Sequence, residues 1–448
     1  LPIILFTAIA IIASFLLWAS NKGLDLSDES FYISSILYAD STSNNTTFFY
    51  LIYQKLFSFL GNSIQVFRLV RLVLSLFSCF ILSIGVFQFL KTKINFQVNK
   101  LEVFAFKAIG MFWSYCLLPQ TISYNSLSLI LFNFIIGILL LEKTSSSKVN
   151  LFHQSIIGFL LGILLIVKFP SAILLFGLLI ISDIFLSNKI DWKKLFVSIP
   201  IWLVFAGLSL LLFLENPLNT FSTISEMLSV PIESHSMGNI FKAYYDNIYE
   251  LIFRHRFLYP FIALILLLSR TLKNKKFIKY STIIYNIGFV AYLALYCYKT
   301  EVLIKSNYNT YQLFDVYFIL FNFLVFYYFI AKNTTLKITL NKLEIKLTAF
   351  LIIATSVAIF GTNNVITAQV LLYMSLLFIP VYVFIKKLPN KIQILLSLIL
   401  VTCIGSQVIS ASVYAPYRNC YSLPQQTNHV KTNAIISTVT LDEEKINL

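Results

Sequence analysis

The first twenty residues read LPIILFTAIAIIASFLLWAS (Leu1–Ser20) without a single charge, and GLDLSDESFY (Gly23–Tyr32) follows almost at once. As a helix, a run of roughly 20 apolar residues rises ~30 Å, the thickness of the hydrocarbon core of a bilayer. The opening therefore reads as a membrane span that delivers three carboxylates, Asp25, Asp28 and Glu29, to the surface it emerges from. Working outward, similar runs recur at 2–20, 68–90, 101–118, 126–142, 151–167, 170–187, 195–214, 257–269, 280–298, 311–331, 347–360, 365–385 and 392–411, thirteen in all.

Composition agrees with that periodic greasiness. The 448 residues are 58% hydrophobic and only 12% charged, with a mean hydropathy of +0.81; soluble domains carry about 25% charged residues. The expected fold is an all-α polytopic membrane protein with about 13 transmembrane helices. Residues 1–411 form the transmembrane domain, and 412–448 form an outer C-terminal tail that reads as the start of a truncated soluble domain. The first run is read as a retained helix, since no A-x-A-like cleavage site ends it.

A net charge of +15 would suit nucleic acid, but the basic residues sit in short clusters between apolar runs and form no continuous face, so no nucleic-acid partner is expected. Their placement sets orientation instead. With Leu1 inside, alternate loops carry Lys91, Lys93 and Lys100; Lys143 and Lys148; Lys189, Lys193 and Lys194; and three later clusters, together 20 of the 34 basic residues. Lys and Arg resist export, so these loops are expected in the cytoplasm. The acids of the first loop fall on the opposite side, and the expected location is a bacterial inner (plasma) membrane with the working surface facing the periplasm or exterior.

Two outer loops exceed mere connectors. The first, 21–67, holds two aromatic helix-like pieces, 31–38 and 48–57, too short to span and suited to the membrane interface. The second, 215–256, contains Arg254-His255-Arg256 and reads as a partly ordered cap over a cavity. Five scattered cysteines make neither a disulfide framework nor a zinc site. There is no phosphate-binding glycine loop of the nucleotide-dependent kinds.

An acidic pair, Asp28-Glu29, followed by aromatics, interfacial helices and a span entered through Arg68-Leu69-Val70-Arg71 resembles the GT-C glycosyltransferases. Within that superfamily the likeness is nearest the polyprenyl-phosphate-sugar-dependent branch (glycosyltransferase family 39), which includes protein O-mannosyltransferases and the aminoarabinose transferases of lipid A. It covers the architecture of most of the chain. The resemblance implies inverting transfer of a sugar from a polyprenyl-phosphate donor to a lipid, glycan or protein acceptor. A carboxylate must then take the acceptor's proton on the face opposite the leaving phosphate. Asp28 is expected as that base, with Glu29 orienting the acceptor or substituting.

The leaving phosphate needs positive charge. Lys168, in Gly158-Phe-Leu-Leu-Gly162-Ile-Leu-Leu-Ile-Val-Lys168-Phe-Pro170, is the first candidate, a plain snorkelling lysine being the alternative. Arg68, Arg71, Arg254 and Arg256 are further phosphate candidates that equally suit lipid headgroups. Tyr32, the turn Tyr124-Asn125 and the turn Asn363-Asn364 are candidate sugar or acceptor contacts. Acids that begin an interfacial helix also serve its dipole, so Asp28 and Glu29 have a structural reading as well. No resident cofactor is expected: Asp28, Glu29, His235 and His255 share the outer side, and some branches of the superfamily use divalent ions, but no metal-ligand spacing supports one. Two other functions stay open: a transporter or flippase for lipid-linked saccharides, and a ligase joining lipid-linked glycans through the Arg254-His255-Arg256 loop.

Overall fold

The computed structural model describes residues 1–25, 28–38, 47–116, 120–144, 150–187, 189–229, 237–271, 275–302, 311–331, 341–361, 365–410, 413, 422–429 and 440–441. Among them the chain is almost entirely helical. The first half comprises α1 (Pro2–Ala19), α2 (Asp28–Leu37), α3 (Phe49–Phe57), α4 (Ile64–Thr92), α5 (Lys100–Phe112), α6 (Tyr124–Thr144), α7 (Leu151–Val167), α8 (Phe169–Ile180), α9 (Ser182–Leu186) and α10 (Trp192–Phe213). The second half adds α11 (Pro217–Ser229), α12 (Met237–Arg254), α13 (Leu258–Thr271), α14 (Lys275–Thr300), α15 (Tyr311–Ala331), α16 (Lys342–Ile359), α17 (Ile366–Val370), α18 (Met374–Ile385) and α19 (Asn390–Gly405).

Local chemistry sets the ends. Side-chain oxygens of Ser63, Asn99, Asn150 and Asp191 accept the orphan N–H groups that open α4, α5, α7 and α10. Asn341 and Glu344 form a reciprocal capping box on α16. α7 stops at Lys168, whose ψ of 79° leaves the helical region one residue before the restart into Pro170.

Each of the thirteen apolar runs is wholly or largely helical, but the expected count of thirteen spans is not what the described helices supply. Eight are long and apolar enough to cross a membrane, or nine if Phe241–Arg254 and Leu258–Leu268, bent by 61° at their junction, form one broken span. The others fall short for identifiable reasons. α7 and α8 are apolar but only 17 and 12 residues long, α5 is 13 residues, and α16 carries Lys342, Glu344 and Lys346 in its first turns. A 12-residue helix rises about 18 Å, which does not cover the hydrocarbon core.

The bundle is a membrane protein's, with its polarity arranged accordingly. α6 and the α17–α18 segment are buried along most of their length, whereas α1, α10 and α14 present most of theirs outward. Phe196, Leu203, Leu208 and Leu211 on α10 are exposed apolar side chains, as a lipid-facing surface requires. α7 and α10 pack through Gly158 and Gly162, one turn apart. A β-carbon at 158 would stand 2.7 Å from the Trp202 carbonyl oxygen, and one at 162 would stand 2.5 Å from that of Ala206. Only hydrogen fits there, the small-xxx-small device for close helix approach.

The two short aromatic pieces of the first loop are helical, as α2 and α3, and pack on each other. Of the tail, 413, 422–429 and 440–441 are described; Asn428–His429 pairs antiparallel with Thr440–Leu441. Thr440 then bonds to the first loop: its N–H donates to the Asn21 carbonyl at 2.7 Å, and its carbonyl accepts from the Gly23 N–H at 3.0 Å.

Candidate functional site

The first-loop site begins with Arg68, one turn into α4. Its guanidinium has five N–H donors in a planar fork. Nε donates to Glu29 Oε1 at 2.9 Å, and Nη2 donates to Glu29 Oε2 and the Gly23 carbonyl, each at 2.7 Å. Nη1 donates to the carbonyls of Ser20 at 3.0 Å and Lys22 at 2.9 Å. Glu29 Oε2 also accepts the Asp25 N–H at 3.3 Å. Both side chains are buried. Arg68 thus has no donor left for a phosphate, and Glu29 has both oxygens engaged; together they pin the loop between α1 and α2.

Asp28, next in sequence, points elsewhere because consecutive helical residues lie ~100° apart. It is half-buried and interacts electrostatically with the Tyr124 hydroxyl, which also contacts Asn125 and Tyr32. The Tyr32 and Tyr124 rings pack edge to face, 6.0 Å between centroids. Asn125 is buried, and its Oδ1 has no hydrogen-bond partner among the described residues. Arg71, one turn beyond Arg68, is fully buried under Tyr115, its guanidinium 4.1 Å from that ring's centroid, and donates to the Ser114 carbonyl at 3.2 Å. It lies within electrostatic reach of Glu29 and Tyr32.

Lys168 occupies the break between α7 and α8. Its Nζ donates to the Ala358 carbonyl at 2.7 Å, at the C-terminal end of α16, and lies 5.8 Å from the Tyr373 ring centroid. The Ser171 hydroxyl donates to the carbonyls of Ala358 and Phe360. Gly361 follows at φ 85°, with Pro170 about 3.0 Å from where a β-carbon would be; a side chain there would meet strained backbone and the proline together. Lys168 is buried, has one of its three N–H groups bonded, and has no carboxylate in ion-pair range among the described residues. Asn363 and Asn364 lie outside the described residues.

Aromatic hydroxyls connect the two halves. Tyr373 donates to Ser128 Oγ at 2.9 Å, on α6 one turn past Tyr124, and is within electrostatic reach of both Tyr124 and Tyr244. A line therefore runs from Asp28 through Tyr124 and Tyr373 to Lys168. Below it on α3, burial pushes the Tyr53 phenol up to about 12, so it stays protonated and donates to the Gly61 carbonyl at 2.8 Å.

Arg254 and Arg256 do not join this cluster in the same way. Arg254 grips Asp315 with Nε and Nη2 at 3.0 and 3.1 Å, while Tyr296 donates to the same carboxylate at 2.8 Å. His255 sits between, with Nε2 3.2 Å from Asp315 and Nδ1 2.9 Å from the Tyr292 hydroxyl. Both His255 and Asp315 are fully buried. Arg256 is exposed and stacks on Phe253 and Phe257.

No protein-family model matches this chain, and no curated protein or solved structure does either.

Tyr373 is an addition that sequence reading passed over, while Tyr244 and Asp315 are legible as an outer-loop tyrosine and a charge within an apolar run but are not among its site candidates. Tyr373 sits within an uncharged stretch that reads simply as membrane span. Asp315 carries a signal, an acid in an apolar helix, but its partners come from residues 254–296, which no local spacing reveals. Among the described residues no three His, Cys, Asp or Glu side chains stand together as a metal-binding group. His235 lies outside them.

Proposed function

We propose that this chain is a membrane glycosyltransferase of the GT-C kind, moving a sugar from a polyprenyl-phosphate donor to an acceptor at the first-loop end of the bundle. The observation that carries the reading is the division of labour between Asp28 and Glu29. Glu29 and Arg68 close on each other and on the backbone, and the neighbouring carboxylate is directed toward tyrosines that lead to a buried cation.

The chemistry follows from those groups. Asp28 takes the proton of the acceptor hydroxyl as its oxygen attacks the anomeric carbon. The bond from that carbon to the phosphate oxygen breaks on the opposite face, with inversion, and the phosphate leaves with both bonding electrons. Lys168 offers N–H donors and positive charge to the departing phosphate, in a setting where low dielectric strengthens the attraction. Tyr32, Tyr124 and Asn125 line the route between, where hydroxyls and an unpartnered amide oxygen suit sugar hydroxyls.

The ligase reading rests on Arg254-His255-Arg256, and there Arg254 is bound to Asp315 and His255 is fully buried. A lipid-linked saccharide transporter would place its ionisable groups near the bilayer midplane. The test is transfer or donor hydrolysis by the purified protein with a panel of polyprenyl-phosphate sugars. Product with inverted anomeric configuration supports the reading; inertness toward every donor, with substrate counterflow in vesicles, overturns it in favour of transport.

A further inference from the structure

A cavity of about 700 Å³ opens at the far end of the same helices, away from the first-loop site. Arg68 and Lys93 mark the two ends of α4, 25 residues and therefore ~38 Å apart along the helix. Tyr124 and Lys143 mark the two ends of α6 in the same sense. The cavity thus belongs to the other side of the bundle, and five lysines line it: Lys93, Lys143, Lys189, Lys193 and Lys194.

Two of these are neutralised. Lys143 Nζ is 2.7 Å from Asp183 Oδ1, and Lys194 pairs with Glu142, which is fully buried behind the cavity wall. Asp183 is held further by the Ser187 hydroxyl and the Asp191 N–H. Lys93, Lys189 and Lys193 have no carboxylate in ion-pair range among the described residues. The remaining acid of the lining, Asp191, caps α10 by accepting the Lys194 N–H at 3.1 Å. The lining therefore keeps an excess of positive charge in a cavity large enough for a phosphodiester headgroup.

Its mouth is apolar on one side. Trp192, an exposed indole of the kind that sits at headgroup level, lines the cavity, and the outward face of α10 continues from it through Phe196, Leu203 and Leu211. An anion held by the lysines would have its hydrophobic tail laid along that face. A free soluble anion would gain nothing from it.

We propose that this cavity binds the phosphate headgroup of an anionic membrane lipid, with Lys93, Lys189 and Lys193 supplying the charge and Trp192 and α10 receiving the acyl chains. The site is independent of the transfer chemistry. It anchors the lysine-rich end of the bundle to the anionic leaflet.

Native mass spectrometry of the full chain in detergent tests this, with dioctanoyl phosphatidylglycerol, dioctanoyl phosphatidylcholine and inorganic phosphate titrated separately. Phosphatidylglycerol should bind about a hundredfold more tightly than phosphatidylcholine. Substituting Lys93→Gln, Lys189→Gln and Lys193→Gln together should abolish that preference, since each headgroup-level lysine accounts for roughly fivefold. Equal removal of charge through Lys55→Gln, Lys242→Gln and Lys299→Gln should leave it intact. Lys193→Gln alone should weaken binding about fivefold, a readout that stands if the triple variant does not fold. Retention of the preference in the triple variant, unweakened phosphatidylglycerol binding in the single variant, equal loss in the control, or inorganic phosphate binding as tightly as phosphatidylglycerol would overturn the proposal.

Discussion

Glu29 and Arg68 meet as a parallel fork, with Nε to Oε1 at 2.9 Å and Nη2 to Oε2 at 2.7 Å, both side chains nearly sealed from solvent. A buried pair of this kind is not a large net source of stability, because two charges must first leave water. Breaking it is a different matter, since one desolvated charge is left alone. Glu29→Gln should lower stability by ~3–5 kcal/mol, read as a fall in thermal unfolding temperature in detergent. The double variant Glu29→Gln with Arg68→Met should lose less than the sum of the single changes; strict additivity would mean the fork carries no coupling.

Asp28 should behave in the opposite way. Asp28→Asn keeps shape and removes the base, so transfer should fall by about 10²–10⁴-fold while the unfolding temperature stays near that of the parent. Full activity in the purified variant would remove Asp28 from the role of base.

Lys168 joins structure and chemistry, because its ammonium also sits at the negative end of the α16 dipole. Lys168→Gln should retain a hydrogen bond to Ala358 and so keep the fold, while kcat drops about 10²-fold with KM for the acceptor unchanged. A rise in acceptor KM at constant kcat would assign the residue to acceptor binding instead.

Gly162 should resist enlargement. A β-carbon there would stand 2.5 Å from the Ala206 carbonyl oxygen, and backbone cannot turn aside as a flexible side chain can. Gly162→Val should cost about 1–3 kcal/mol and separate α7 from α10, measurable as faster cysteine labelling at engineered positions on the facing surfaces. Gly177→Ala, at a site with open space around it, is the matched control and should be silent.

The tail contributes to the first loop through backbone alone. Thr440→Pro removes the N–H that reaches the Asn21 carbonyl at 2.7 Å, and proline cannot replace it. Amide exchange at Gly23 should accelerate, and the unfolding temperature should fall modestly, by the equivalent of about 1 kcal/mol. Unchanged exchange at Gly23 would show that the tail merely rests there.

Hydropathy was enough to find the apolar helical segments, because a chain in lipid must satisfy its backbone within each segment and helices do so locally; the more polar α11 and α12, in the loop read as a partly ordered cap, escaped it. The caps at Ser63, Asn99, Asn150 and Asp191 are equally local, and so is the break at Lys168-Phe169-Pro170. Span count was not local: whether a 12- or 17-residue apolar helix crosses the bilayer depends on what it stacks against.

Charge pairing is where the tertiary structure decided the outcome. Asp28 and Glu29 are adjacent and chemically alike in the sequence, and Arg68 and Arg71 are both cations one turn apart. Folding brings α4 against the end of α1, so Arg68 closes on Glu29 and three loop carbonyls, and Arg71 slides under Tyr115. The same packing carries Asp315 to Arg254 and Tyr373 to Lys168, over separations of 61 and 205 residues, which no periodicity encodes. The sequence by itself determined a membrane bundle with an acidic first loop and its lysines clustered in other loops, since hydrophobic length and charge distribution are properties of composition along the chain. Which acid is locked, which faces the tyrosines and which cation lacks an acid partner are properties of contacts between distant segments, and only the packed structure sets them.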